Sequence, residues 1–300
     1  MSEIPKTTNG FPVYNVDCQR ASQQDADNLI EAMLEHGVVC IKNQDLDAKQ
    51  LRNFIRKVST SGENFIIPNL GALSPAFDNP TDADGIVKIS NIDKNGKIIE
   101  NCKAAEYWHS DGQFWYGKMN QLWNFMHMKT IPKVGGGTAF LDGVVAMKIL
   151  KRDYPDLAET LKKIVTTTSQ AAVGDFNSKV ATDTFSKGPS EHEVFSIHAK
   201  SGKEVLYFGA PKSAKFKVKD QHRNDEEFKH LSDQELDIKM EEIKAKCFSI
   251  IDTPDCYYAH NWGPNEVIVW DNTMGMHQSM GGYGNYPRYA IRGQTLMWQD

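Results

Sequence analysis

Residues 107–115 read YWHSDGQFW, and within them His109 and Asp111 are separated by a single residue. An imidazole and a carboxylate two positions apart share one face of an extended strand, so the pair could offer two metal ligands to a cavity. A third ligand would complete a two-histidine, one-carboxylate facial triad, the donor set of non-haem Fe(II) centres that leave positions open for substrate and O₂. The tripeptide alone decides little. With Asp near one residue in twenty, the 9 histidines of the chain give roughly 0.5 such pairs by chance.

The third ligand has seven contenders away from the first helix: His127, His192, His198, His222, His230, His260 and His277. His277 stands apart by its surroundings. It follows an apolar run ending in Asp271–Asn272 and precedes a glycine-rich turn with two arginines, Arg288 and Arg292. Residues i and i+4 of a strand point the same way, so both guanidinium groups would face one side. Charged groups turned into an apolar interior are costly unless anions meet them, and a guanidinium fork matches a carboxylate bidentately. Among the other histidines, His198 and His260 read as hydrogen-bonded scaffold and His127 as a satisfied core residue. His192, His222 and His230 sit in polar segments and read as solvated.

The elements that must position these groups are legible in outline. Ser22 with Asp25 makes an N-cap pattern, Leu29, Ile30, Met33 and Leu34 form a helical stripe, and Gly37 ends it. VVCI (38–41) is strand-like, and Asp47 with Gln50 opens a second helix through Leu51, Phe54, Ile55 and Val58. From IVKIS (86–90) onward the texture turns to β: YWHSDGQFW, NQLWNFMHM and GTAFLD are rich in aromatic and β-branched residues between Gly and Pro breaks. Helices are predicted after Asp142 and from Pro155 to about Lys163, and EVFSIHA (193–199) with KEVLYFG (203–209) reads as a hairpin. Ser232 with Glu235 caps a helix carrying Leu236, Met240, Ile243 and Cys247 on one face, and EVIVWDN (266–272) and YAIRGQTLMW (289–298) are closing strands. Mostly β with flanking helices fits a sandwich or barrel better than an alternating α/β sheet. The charge-dense block 212–246 reads as a surface insertion, with a lid over a pocket as the alternative.

Composition narrows the class. Of the 300 residues, 40% are hydrophobic and 24% charged, the make-up of a globular chain with a sizeable core. A net charge of −5 argues against a generic nucleic-acid or anionic-membrane binder. The opening MSEIPKTTNG lacks a charged-then-apolar leader layout, and no run approaches the ~18 apolar residues of a membrane span. The 5 cysteines show no C-x-x-C spacing and read as reduced thiols of a cytoplasmic protein, not as a disulfide frame or a zinc site.

Five segments, in order, resemble the Fe(II)/2-oxoglutarate dioxygenases of the taurine dioxygenase and 2,4-dichlorophenoxyacetate dioxygenase group. They are HGVVCIKNQDL (36–46), SNIDKNG with WHSDGQF (90–96, 108–114), PKVGGGTAFLD (132–142), HAKSGKEVLYFG (198–209) and AHNWGPNEVIVWDNTMGMH (259–277). The likeness spans most of the chain and implies one dioxygenase domain over 1–300, built on a double-stranded β-helix, or jelly-roll, core. It implies His109, Asp111 and His277 as iron ligands. Thr138 and Arg288, the latter eleven residues past His277 (288 − 277), match the positions that hold the remote carboxylate of 2-oxoglutarate. Arg292 matches an arginine that meets an anionic group of the substrate or the metal-bound end of the cosubstrate. Trp115 and Tyr116 read as core or pocket wall and, in the latter case, as substrate contacts; Asn91 is a further lining candidate. Ala105 stands where taurine-type members carry a substrate-binding Asn, which speaks against taurine itself.

The implied cofactors are Fe(II), 2-oxoglutarate and O₂, the products of the cosubstrate succinate and CO₂, and the target an unactivated C–H bond. Relatives that halogenate replace the ligand carboxylate with a small residue, so Asp111 points to oxygenation. The expected substrate is a small carboxylate-bearing molecule, an amino acid or derivative, and the expected reaction hydroxylation. Oxidative ring closure or desaturation of an N-substituted amino acid, as in kainoid synthases, is the alternative within the class. Outside it stand a non-catalytic β-barrel binding protein and a zinc hydrolase on the same ligands. No nucleic-acid or membrane partner is expected, and a homo-oligomer is left open.

Overall fold

Three helices begin as their sequences dictate. In the computed structural model, which describes residues 12–67, 81–93, 95–99, 105–113, 119–168 and 190–298, Ser22, Asp47 and Ser232 each close a full capping box. Each pairs an orphan N–H of the first turn with a side-chain oxygen and returns the favour from position N3.

In chain order the elements are β1 (Val13–Tyr14), α1 (Gln23–His36), β2 (Val38–Ile41), α2 (Ala48–Ser61), β3 (Phe65–Ile66), β4 (Ile86–Ser90) and β5 (Met119–Thr130). There follow β6 (Thr138–Leu141), α3 (Gly143–Asp153), α4 (Pro155–Leu161), β7 (Ile164–Thr168), β8 (Ser190–Glu193), β9 (Phe195–Ile197), β10 (Glu204–Leu206) and β11 (Lys215–Val218). The chain closes with α5 (Asp233–Ile251), β12 (Tyr257–His260), β13 (Val267–Asp271), β14 (His277–Ser279) and β15 (Tyr289–Trp298). The architecture is mostly β with flanking helices.

A seven-stranded sheet runs β1-β2-β13-β5-β15, with β3 and β4 sharing the far edge of β15. Its central strand explains the layering. Val267 and Val269 of β13 pack with Leu29, Met33, Leu51 and Phe54 of α1 and α2. Ile268 and Trp270 point the other way and meet Phe140 of β6. A strand covered on both faces has no polar side, which is why VIVWD does not alternate. Phe140 belongs to the three-stranded sheet β12-β6-β14, so this small sheet faces the large one. Phe54 meets Phe125 edge to face at 6.3 Å across the helix–sheet layer.

Two expectations need correction. The described part of YWHSDGQFW, residues 107–113, is not a strand: His109 makes an isolated bridge to His277, and residues 111–113 form a turn with Gly112 at φ 69°. A left-handed residue cannot continue the two-residue alternation. The block 212–246 is more than a surface insertion or lid. β11 pairs with β7, and Phe216, Val218, Phe228, Met240 and Ile243 are buried in one core with Leu150, Leu161 and Phe208. Its charges occupy the outer side of elements whose inner side builds the core.

The end of β13 is anchored by a buried network. Asp271 Oδ2 accepts from Trp123 Nε1 at 2.9 Å and faces His198 Nε2 at 3.2 Å, while Oδ1 accepts from Thr273 N at 2.8 Å. Burial alone would raise this carboxyl, but the bonds from His198 and Thr273 outweigh it and hold it below its ordinary value. Breaking a buried pair leaves its partners unpaired, so Asp271→Ala should cost about 3–5 kcal/mol of unfolding free energy, read from urea denaturation of the metal-free protein.

Candidate active site

His109 and His277 come together through the main chain. His109 N donates to His277 O at 3.0 Å, and His277 N donates to His109 O at 2.9 Å. This exchange sets the two imidazoles side by side, with ring centroids 4.3 Å apart. The turn after His109 then brings Asp111 round, with Oδ1 3.8 Å from His109 Nε2 and Oδ2 3.6 Å from His277 Nε2. Their ligand atoms all lie within 4.8 Å of one another. These gaps are too long for hydrogen bonds. They match donors that each sit about 2.1 Å from one shared ion.

The protonation states suit a metal. His109 Nδ1 is 2.8 Å from the carbonyl of Tyr107, so Nδ1 carries the proton and Nε2 keeps its lone pair for the cluster. Burial, with help from His109 and Arg292 and against the pull of Asp111, pushes His277 down to about 3, leaving a neutral imidazole. Burial would raise Asp111, but Arg292, His277 and His109 together hold its carboxyl below the usual range. The two imidazoles and the carboxylate form a donor set suited to a divalent ion.

Thr138 and Arg288 converge on one turn. Arg288 Nε donates to the carbonyl of Gly136 at 3.2 Å, two residues before Thr138. Thr138 Oγ1 accepts from Trp262 Nε1 at 3.0 Å, which leaves its proton to be donated elsewhere. The turn needs glycine at 135: φ is 66°, and a Cβ there would lie 2.4 Å from the backbone carbon of Gly282. Asn91 supports this corner from behind. Its Oδ1 accepts from Arg288 N at 2.8 Å and its Nδ2 donates to Tyr286 O at 2.9 Å. Expected as a pocket-lining residue, Asn91 thus spends its amide on the backbone that carries Arg288. Arg292 is buried and donates Nη1 to Asp111 Oδ2 at 2.9 Å. Trp115 and Tyr116 lie outside the described residues.

The remaining histidines divide as chemistry demands. His198 pairs with Asp271, and His260 Nε2 lies 2.8 Å from Glu266 Oε2, both within the scaffold. His127 is fully buried on the helix side of the sheet, with Nε2 2.7 Å from the carbonyl of Gln44. Burial, reinforced by Lys129, pushes it down to about 4 from an ordinary 6.5. As pH falls through 6.5 the unfolded chain takes up a proton that the folded chain refuses until about 4, so stability drops across that window. A His127→Gln variant should show a shallower loss of unfolding free energy between pH 6.5 and 4, measured by denaturant melts.

His192 corrects the sequence reading. Instead of being solvated, its Nε2 lies 2.7 Å from the carbonyl of Gln113, which also accepts from Ser190 Oγ at 2.5 Å. The turn carrying Asp111 is thereby tied to β8. The alternation in SEHE, with Ser190 and His192 on one face and two glutamates on the other, is the signal that points to it. Sequence reasoning also missed Asn124, Asn272 and Gln294, which surround Asp111. The described thiols Cys18, Cys40, Cys247 and Cys256 are buried and unpaired, and burial pushes Cys40 and Cys247 up to about 12.

A partly buried two-histidine, one-carboxylate cluster, with a guanidinium and a hydroxyl gathered at a glycine turn, has the donor set of a mononuclear non-haem metalloenzyme centre. The family follows. Residues 4–294 match the model of the taurine catabolism dioxygenase TauD, TfdA family, and the chain belongs to that family. It is similar to the alpha-ketoglutarate-dependent 2,4-dichlorophenoxyacetate dioxygenase of Cupriavidus pinatubonensis, 22% identical over 275 residues, 89% of this chain and 87% of the relative. It is also similar to the (S)-phenoxypropionate/alpha-ketoglutarate-dioxygenase of Sphingobium herbicidovorans, 23% identical over 260 residues, 84% of this chain and 79% of the relative. Among solved structures, AAD-2 in complex with Mn(II) and N-oxalylglycine superposes with a TM-score of 0.69 at 18% identity, covering 96% of each chain. A taurine dioxygenase from Burkholderia xenovorans gives 0.68 at 18% identity, over 97% of this chain and 87% of that one. The protein is a 2-oxoglutarate-dependent dioxygenase, an oxidoreductase using Fe(II), 2-oxoglutarate and O₂.

Proposed function

We propose that the protein oxidises an unactivated C–H bond of a small carboxylate-bearing substrate, an amino acid or a derivative, by hydroxylation. One observation carries the reading: Asp111 lies between the Nε2 atoms of His109 and His277, while Arg288 and Thr138 meet at the Gly136 turn nearby. The facing of the small sheet on the large one supports a jelly-roll core for a single catalytic domain. In this reading His109, Asp111 and His277 hold the iron, and Arg288 with the Thr138 hydroxyl holds the remote carboxylate of 2-oxoglutarate. Bound there, the iron and its cosubstrate supply the oxidising chemistry that no side chain offers.

The chain's own work is placement. Tyr107 O fixes the tautomer of His109, and Asn91 fixes the strand entry of Arg288. Trp262 orients the Thr138 hydroxyl so that its proton points away from the indole. Arg292, buried beside the cluster and donating to Asp111, is the residue assigned to an anionic group of the substrate. The two herbicide-acting relatives are named for aryloxyalkanoate substrates, which bear a carboxylate and support an acidic substrate here. No helix among the described residues is long and apolar enough to cross a membrane. The buried free thiols support a reducing, cytoplasmic setting.

The test is a screen of carboxylated amines read by O₂-dependent succinate release and product mass. A gain of one oxygen supports hydroxylation, and a loss of two hydrogens identifies ring closure or desaturation instead. Metal-dependent hydrolysis without O₂ consumption would overturn the reading.

A further inference from the structure

Asp111 is held by more than its imidazole neighbours, and unevenly. Its Oδ2 accepts from Arg292 Nη1 at 2.9 Å and from Gln294 Nε2 at 3.2 Å. Its Oδ1 looks toward His109, 3.8 Å from Nε2. Gln294 on β15 and Asn124 on β5 are register partners, 2% and 0% exposed. They stand on the sheet face that elsewhere carries Met126 and Ile268, where an unpaired amide is costly.

The amides form a directed run. With the Asn124 amide turned so that its oxygen accepts from Asn272 Nδ2 at 2.8 Å and Trp270 Nε1 at 3.3 Å, its nitrogen donates to Asp111 Oδ2 at 3.2 Å, and the Gln294 amide, 2.6 Å away, turns with it to accept. Trp270 Nε1 also donates to Asn272 Oδ1 at 3.0 Å, and Asn272 Nδ2 reaches the carbonyl of Asp111 at 3.4 Å. An indole only donates and a carboxylate only accepts, so the run from Trp270 through Asn272 and Asn124 has one consistent sense, ending on Asp111. In the opposite orientation of Asn124 the donor on Oδ2 is Gln294, which then also donates to Asn124 Oδ1 at 2.6 Å. In both, an amide N–H joins the guanidinium on the same oxygen.

We propose that Asn124 and Gln294 are positioning residues for Asp111: one donates to Oδ2, the other fixes that donor, and together they hold the carboxylate to a single-oxygen presentation through Oδ1. The proposal rests on the assignment of Asp111 as a metal ligand made above. A carboxylate free to turn could engage the ion with both oxygens and take a position that the cosubstrate or O₂ requires. Partners of this kind typically control metal affinity by about 10–100-fold.

The test uses the metal-free full-length protein titrated with Co(II) and followed by its visible absorption. Gln294→Met and Asn124→Leu keep volume; one removes the amide that donates to Oδ2 and the other the amide that orients it. Each should weaken Co(II) binding by about tenfold or more and shift the bands toward the weaker absorption of a higher coordination number. Circular dichroism establishes that each variant is folded. Should neither fold, Gln294→Asn, which withdraws the amide by one methylene, should give the same loss. Wild-type affinity and spectrum in a folded variant overturn the proposal. Failure of the wild-type protein to bind Co(II) would instead overturn the site assignment, and this inference with it.

Discussion

Replacing His277 by alanine is expected to abolish turnover while leaving the fold in place. In the proposed site the side chain supplies one of three ligand atoms, but the link to His109 runs through backbone N–H and C=O groups that alanine retains. Losing an outer-shell partner already costs about 10–100-fold in metal affinity, so losing an inner ligand should cost more than about 100-fold. The imidazole is also packed against Trp270, with centroids 5.0 Å apart, and the truncation leaves a small apolar gap there. The measurement is the visible charge-transfer band formed anaerobically with Fe(II) and 2-oxoglutarate, together with succinate release in air. Both should vanish in the variant. A persistent band would remove His277 from the metal site.

Replacing Arg288 by glutamine should separate cosubstrate binding from metal binding. A guanidinium–carboxylate fork makes two charge-assisted hydrogen bonds, each worth about 1.5–3 kcal/mol. Their loss predicts a rise in the KM for 2-oxoglutarate of about 100-fold or more, at about tenfold for each 1.4 kcal/mol. Arg288→Lys keeps the charge without the fork and should fall between wild type and glutamine. Metal affinity without cosubstrate should stay unchanged in both, since Arg288 reaches Gly136 and not the cluster. An unchanged KM would place the cosubstrate's remote carboxylate elsewhere.

What was legible in the chain follows the range of the interactions involved. Capping boxes and the left-handed Gly37 depend on neighbours within four residues, and the helices they bound are where the sequence puts them. The pairing of β9 with β10 is equally local, and the run VIVWD is apolar because both of its faces are covered. The gathering of His109, Asp111 and His277 was expected for a different reason: His277, Arg288 and Arg292 are close in sequence, so their spacing carries information. The bridge that replaces the expected strand at His109 is long-range, and one glycine, Gly112, decides against the strand. The charge of 212–246 hid the alternation of KFKV, whose Phe216 and Val218 are buried. Asn124 and Gln294 meet only through the register of β5 on β15, which no local pattern announces.

The paired backbone hydrogen bonds between His109 and His277 join positions 168 residues apart (277 − 109). Contacts at such separation form only after a long loop has closed, and loop closure of this kind is slow relative to local structure. A ribosome adds about 5–20 residues per second, and the first ligand emerges many seconds before the last. During that interval the nascent chain holds His109 and Asp111 but not His277. In the proposed assignment the three donor atoms come together only when the bridge between His109 and His277 has closed.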